Sequence, residues 1–142
     1  MVLIIPYIFP STVNALAVWP FIILKEPALR SDYVLIHHER IHLRQQLELL
    51  WVFFFIIYLT EFLAKIIIYR QPKLAYRNIS FEREAYENEY DLDYARNKPL
   101  WSFVGYIFKR PLKYRNEMEK SRNQQVKLEE IESAGVSLWM KR

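Results

Sequence analysis

The chain has 142 residues, 52% of them hydrophobic and 16% aromatic, which allows one modest domain with its own core and no second one. It contains no cysteine, so disulfides and thiolate metal sites are excluded and any metal must be held by His and carboxylate. The net charge is +4 and only Gly105 and Gly135 are glycines, a composition that reads as helical and apolar and argues against a Gly-rich β-sandwich.

Residues 1–24 carry no charged side chain. They lack a basic n-region and are interrupted by Pro6, Pro10 and Pro20, which reads against a signal peptide and against a regular spanning helix. Thr12 to Leu24 is rich in β-branched and aromatic residues, as expected of an edge strand or a membrane-dipping hairpin. Between Pro27 and Pro72 lie 44 residues with neither Gly nor Pro. Ser31 or Asp32 can cap a helix there, which then runs into an apolar stretch from Leu49. Continued to Ile68, that stretch reaches twenty residues, the length needed to span a bilayer. Glu61 and Lys65 interrupt it and are spaced to pair on one face. A turn is expected at Tyr69 to Lys73, then a second helix from Asn78 or Ser80 to about Asn97, ended by Lys98-Pro99. An apolar segment, Leu100 to Phe108, completes a domain over residues 1–108. The tail, residues 109–142, interleaves Lys109, Arg110, Lys113, Arg115, Lys120 and Arg122 with Glu117, Glu119, Glu129 and Glu130, and reads as a solvated helix.

The fold class is thus mainly α. The domain is small, with an N-terminal strand or hairpin, a His-bearing helix running into an inserted or buried apolar segment, and an antiparallel Glu-bearing helix.

All three histidines fall within six residues, at His37, His38 and His42. His38-Glu39-Arg40-Ile41-His42 is an H-E-x-x-H sequence. On a helix His38 and His42 lie one turn apart on one face, so both imidazoles can reach one ion. Glu39 projects about one hundred degrees away, where a carboxylate can take a proton from water beside the ion. Zinc suits such ligands. Leu35 and Leu49 share the face of His38 and His42, which marks it as buried, whereas His37 turns away with Arg40 and Arg44 and reads as a surface residue. A third ligand must be Asp or Glu. The second helix offers Glu82, Glu84, Glu87, Glu89 and Asp91 around a stripe of Phe81, Ala85 and Leu92. Geometry alone does not choose among them, and most read as a solvated face paired with Arg83 and Arg96.

With these residues the chain resembles the gluzincin metallopeptidases, in layout the membrane branch that includes the CAAX prenyl proteases and the β-lactam sensor peptidases. The resemblance covers about residues 12–97. That family carries H-E-x-x-H on one helix and a ligand Glu on a later one, often with a small residue at +3 and Asp at +4. Glu82 with Ala85 at +3 matches, so the resemblance implies metal ligands His38, His42 and Glu82, a zinc cofactor and Glu39 as general base. At +4 stands Tyr86, which leaves its hydroxyl, Glu89 or a backbone carbonyl to support a ligand His. The family also implies substrate binding by β-addition to a strand within Ala15 to Leu24. The chain is short for such a peptidase, so lipid or another membrane subunit is expected to complete the cleft.

One conflict follows. A helix from His42 to Tyr69 is about 40 Å long, and the thirteen steps back to Glu82 reach only about 43 Å when fully extended. A straight crossing would therefore separate His42 from Glu82, or drag Arg70, Lys73 and Arg77 back through lipid. The favoured resolution is a helix that bends or ends near Thr60 to Lys65, making a hairpin that dips into the membrane from one side, with Glu61 and Lys65 paired at a deep turn. A buried core helix comes second, and a third ligand other than Glu82 comes third. The expected function is a membrane-associated zinc peptidase acting on peptides or proteins, at the inner or plasma membrane with its site on the cytoplasmic face. The alternative is a non-catalytic membrane or assembly subunit with a structural or degenerate metal site. Nucleic acid is disfavoured as a partner, because the aromatics do not interleave with the late Lys and Arg.

Overall fold

The computed structural model describes residues 1–10, 12–112 and 126. The chain divides into residues 1–109 and 110–142, and the basic stretch beyond Leu112 lies outside the described residues apart from Val126. The first unit is mainly helical, with six helices and one small sheet among the described residues.

Strands β1 (Val2–Ile4), β2 (Ala15–Val18) and β3 (Phe21–Leu24) form that sheet, with β3 in the centre. β2 and β3 make the expected hairpin, Ala15 opposite Leu24 and Val18 opposite Phe21. β1 joins β3 in parallel, Val2 opposite Ile22. Its three residues are too few to show a period of two, so the sequence did not reveal it. Ala15, Ala17, Ile22 and Leu24 are buried on one face, which packs against helix α1 (Tyr33–Glu48) through Leu35, Ile36 and Leu43.

Of the two candidate caps, Asp32 starts α1, its carboxylate accepting from the Leu35 backbone at 2.9 Å. The expected run of α1 into the apolar stretch does not occur. α1 stops at Glu48, with the Trp51 N–H bonded to the Gln46 carbonyl at 2.6 Å and the Leu50 N–H to Leu47 at 3.4 Å. These are the two closures of a Schellman stop, in which Gly usually takes the left-handed position. Here Leu50 (φ 51°) takes it and Trp51 follows with a positive φ of 59°, so no glycine announces the break.

Helix α2 (Val52–Tyr69) follows, about 27 Å long. It is the one helix among the described residues long and apolar enough to cross a membrane, and only Phe54 in it is buried. Phe53, Ile56, Leu59, Leu63, Ile67 and Ile68 are exposed. The expected bend at Thr60 to Lys65 is absent, and the chain instead reverses at Arg70 (φ 53°), with Pro72 opening helix α3 (Pro72–Arg77). Glu61 and Lys65 do pair, but in mid-helix. They need no turn because the returning chain satisfies them. The Ser80 N–H (2.9 Å) and Oγ (2.7 Å) both donate to Glu61, and the Lys65 ammonium donates to the Asn78 carbonyl. Glu61 thereby caps helix α4 (Ser80–Asn88), which has no cap of its own.

The second helix was expected to reach Asn97. It ends at Asn88, because Asp91 accepts from the Asp93 N–H through its side chain and from the Tyr94 N–H through its carbonyl, a local turn that competes with the helix. Helices α5 (Tyr94–Asn97) and α6 (Phe103–Ile107) follow. Leu92 is 64% exposed, so the expected apolar stripe holds for Phe81 and Ala85 only. Phe81 and Phe103 join Leu49, Phe54 and Ile79 in a second core, packed against Tyr58, Phe62 and Tyr76. α1 therefore lies between the sheet and this aromatic core.

Leu50 is 75% exposed and in the left-handed region, so Leu50→Gly should remove strain without opening a cavity. The expected gain is up to about 1 kcal/mol, read from chemical unfolding in detergent.

Candidate metal centre

α1 presents His38 and His42 on the face turned towards α4, and α4 presents Glu82 to them. All three are buried, at 5%, 6% and 2% exposure. His38 Nε2 lies 3.1 Å from His42 Nε2 and 3.4 Å from Glu82 Oε2, and His42 Nε2 lies 3.3 Å from Glu82 Oε1. A tetrahedral ion with bonds of about 2.1 Å has edges of about 3.4 Å, so the three donors are spaced as three of its vertices. The group can hold a metal ion.

The tautomers follow from the surrounding bonds. Gln45 Nε2 donates to the Phe81 carbonyl (3.2 Å) and to Glu84 Oε2 (3.0 Å), both acceptors. That fixes the amide, so Gln45 Oε1 faces His42 Nδ1 at 2.7 Å and must accept from it. On the other imidazole, His38 Nδ1 lies 2.8 Å from Glu89 Oε2, which likewise accepts. With both Nδ1 atoms protonated, both neutral rings point Nε2 lone pairs at each other and at Glu82. Glu82 Oε2 is buried with no hydrogen-bond partner. Such a centre requires a cation, either a proton or a metal.

Electrostatics agree. Burial alone would lower His38, but its bonds to Glu82 and Glu89 outweigh that and raise it to about 10. His42 is raised too, its burial outweighed by the Glu82 charge. Burial opposes ionisation of Glu82, yet the His42 charge and the two imidazole bonds hold it well below the usual carboxylate range. Burial raises Glu39, against the attraction of His42 and His38, and its carboxylate accepts from the Ala17 backbone.

Glu89, seven residues after Glu82, thus takes the role that Tyr86 leaves open. Two turns of helix return Glu89 to the ligand face. The Tyr86 ring instead packs edge-on to His38 (4.5 Å) and under the Arg77 guanidinium (3.6 Å). Behind His42 the chain of bonds continues. Glu84, fully buried, accepts from Gln45, from the Tyr94 hydroxyl (2.9 Å) and from Ser102 Oγ, and lies 3.3 Å from Lys98 Nζ. Lys98 in turn binds Glu48 at 2.8 Å. The sequence pattern missed Gln45, Glu84 and Lys98 as supports, and also Tyr58, whose hydroxyl donates to Glu82 Oε1 at 2.7 Å. The one available signal was Gln45 three residues after His42.

Several expectations are corrected. Glu82, Glu84 and Glu89 do not form a solvated face; all are buried, because the histidines, Gln45 and Lys98 supply partners. Glu87 does stay at the surface, paired with Lys109 at 2.6 Å. His37 is not a surface residue but 2% exposed, since the Asp91 backbone covers and bonds it. Strand β2 is an edge of the sheet, but its Ala17 carbonyl accepts from Gln46 Nε2 and the Trp19 N–H donates to Gln46 Oε1, both at 2.8 Å. Gln46 and Glu39 therefore occupy the ladder positions at Ala17 that β-addition would need.

Comparison of the chain with protein-family models, curated proteins and solved structures finds no match.

Two outcomes are expected of this geometry. Glu89→Gln removes the anionic support of His38 and should weaken metal binding about 10- to 100-fold, measured by competition with a chromophoric chelator. In the metal-free chain His38 is raised from 6.5 to about 10. Its protonated form therefore stabilises the fold fully below about pH 6.5, and this contribution is lost as pH rises through about 10. Melting temperature should fall over that window after chelation, and fall less with metal bound.

Proposed function

We propose that the chain is a zinc-dependent peptidase working at a membrane surface, with His38, His42 and Glu82 holding the ion and Glu39 as general base. The observation that carries this reading is the 3.1–3.4 Å triangle of buried donors beside the Glu39 carboxylate. Two imidazoles and one carboxylate form a ligand set typical of catalytic zinc. A zinc ion held there supplies Lewis acidity, which polarises a peptide carbonyl and eases ionisation of water.

The chain's own groups supply the rest. Burial raises the affinity of Glu39 for a proton, so it takes one from the attacking water and passes it to the amine nitrogen as the C–N bond breaks. Water becomes the hydroxyl of the new acid, and the amine leaves with the proton. Glu89 and Gln45 hold the two imidazoles in the tautomer that leaves Nε2 free. Tyr58 steadies Glu82 from α2, so the site adjoins the helix whose apolar face is exposed. A face of that kind supports lipid contact. The returning chain lies beside the middle of α2, with Ser80 on Glu61 and Glu82 on Tyr58, and a polar chain along that length favours one-sided insertion over a simple crossing. The resemblance to the membrane gluzincins gains support from Glu82 at the ligand position and Glu89 behind His38.

The depth of the cluster favours a second reading: a structural ion held by His38, His42 and Glu82, without turnover. Substitution separates the two. Under the first reading Glu39→Gln keeps stoichiometric zinc, measured by atomic emission, and hydrolysis of a peptide library drops by at least about a hundredfold. Under the second, the wild type binds zinc but hydrolyses no more of the library than the Glu39→Gln variant. Glu82→Gln should lose zinc under both; full retention of zinc there would remove Glu82 from the site.

A further inference from the structure

The face of α1 opposite the metal ligands carries a feature the peptidase reading does not use. Two adjoining surface grooves, of about 540 and 330 Å³, share His37, Arg40 and Leu92. Arg30 lines the first, and Arg44 and Arg96 line the second. Among the residues lining either there is no carboxylate. Two acids act on these cations: Asp91, whose backbone bonds one His37 nitrogen and whose charge offsets part of this field, and Glu48, which pairs with Arg44. His37 sits at the floor of both grooves at 2% exposure, and its Nε2 has no hydrogen-bond partner among the described residues. Arg44 Nε is also buried without one, 3.9 Å from Glu48. Four guanidinium groups around a buried imidazole nitrogen without a partner suit an anion, with Arg44 also paired to Glu48 and Arg30 bonded to the Val2 carbonyl.

The apolar wall narrows the ligand. Trp19, Leu43 and Leu47 line the second groove, and Trp19 and Leu47 are about half exposed. Leu47 lies five residues before Val52, where the exposed apolar helix α2 begins, and Leu50 and Trp51 between them are exposed as well. Arg and Trp side by side at the foot of an apolar helix are the residues that settle at a membrane interface, where lipid phosphates lie. We propose that the groove behind α1 binds the phosphate headgroup of an anionic membrane lipid, with Arg40 and Arg44 on the phosphate and Trp19 and Leu47 along the first carbons of the acyl chains. This site stands independently of zinc binding and catalysis.

The test is calorimetric titration of the full chain, in non-ionic detergent, with dihexanoyl phosphatidylglycerol and separately with inorganic phosphate. Saturable binding of one lipid per chain is expected, weakened about tenfold by Arg40→Gln and further by Arg40→Gln with Arg44→Gln, zinc content unchanged. Inorganic phosphate, lacking the apolar part, should bind more weakly than the lipid. Equal lipid affinity in the wild type and the double variant would overturn the groove. Inorganic phosphate binding as tightly as the lipid would overturn a lipid as its ligand. A readout on the unmodified chain stands beside these: the lipid should shift the His37 ring signals in a nitrogen-15 spectrum, and unshifted signals at saturation would sink the proposal. Zinc content measured on the same samples keeps a failure here distinct from a failure of the metal site.

Discussion

Two imidazole Nε2 atoms and a carboxylate, all bare of hydrogen and all within about one tetrahedral edge of each other, cannot stay together in a buried space without a cation between them. Much of the surrounding structure serves that meeting. Gln45 and Glu89 each claim one Nδ1 proton and so turn the rings inward. Gln45 can do this only because the Phe81 carbonyl and Glu84 fix its amide. Glu84 in turn lies 3.3 Å from Lys98, itself shared with Glu48 near the end of α1. Removing one member of such a set leaves a buried charge unpaired, which makes the network more a device for geometry than a source of stability.

The same network ties the metal centre to the path of the chain. Glu48 accepts from Lys98 and from the Trp101 N–H, close to where α1 stops and the chain turns into α2. On the other side of the centre, Tyr58 and Glu61 of α2 hold Glu82 and the first residue of α4. α2 thus presents its polar groups to α4 and its apolar side chains outward. Two demands on one helix, anchoring the site and exposing an apolar face, are met by segregating them around its circumference.

The conflict between a spanning helix and a shared site is resolved by two stops that the sequence does not announce. Leu50 and Arg70 both take left-handed backbone where Gly would be usual. The first separates α1 from α2, and the second returns the chain along α2, so that Glu82 meets His42. Glu61 and Lys65, read from their spacing as a deep turn, serve as partners for the Asn78 and Ser80 backbone.

By itself the sequence determined the mainly α class, a strand or hairpin near the N-terminus, a helix start at Ser31 or Asp32 and the placement of His38 with His42 on one face, because these depend on contacts a few residues apart. It also limited the third ligand to a carboxylate, by the absence of any other histidine or cysteine. Glu82 was reached only through the family resemblance and Glu89 only as one of three candidate supports; the choice of Glu89, the burial of His37 and the breaks at Leu50, Arg70 and Asn88 were decided by tertiary structure. The site residues turn on partners far away in the chain, such as Glu89 for His38 across 51 positions or Lys98 for Glu48 across 50, whereas the breaks at Leu50 and Arg70 are local turns that lack the usual glycine. A pattern of polarity along one helix records that a carboxylate is present, but not whether water or a buried imidazole will meet it.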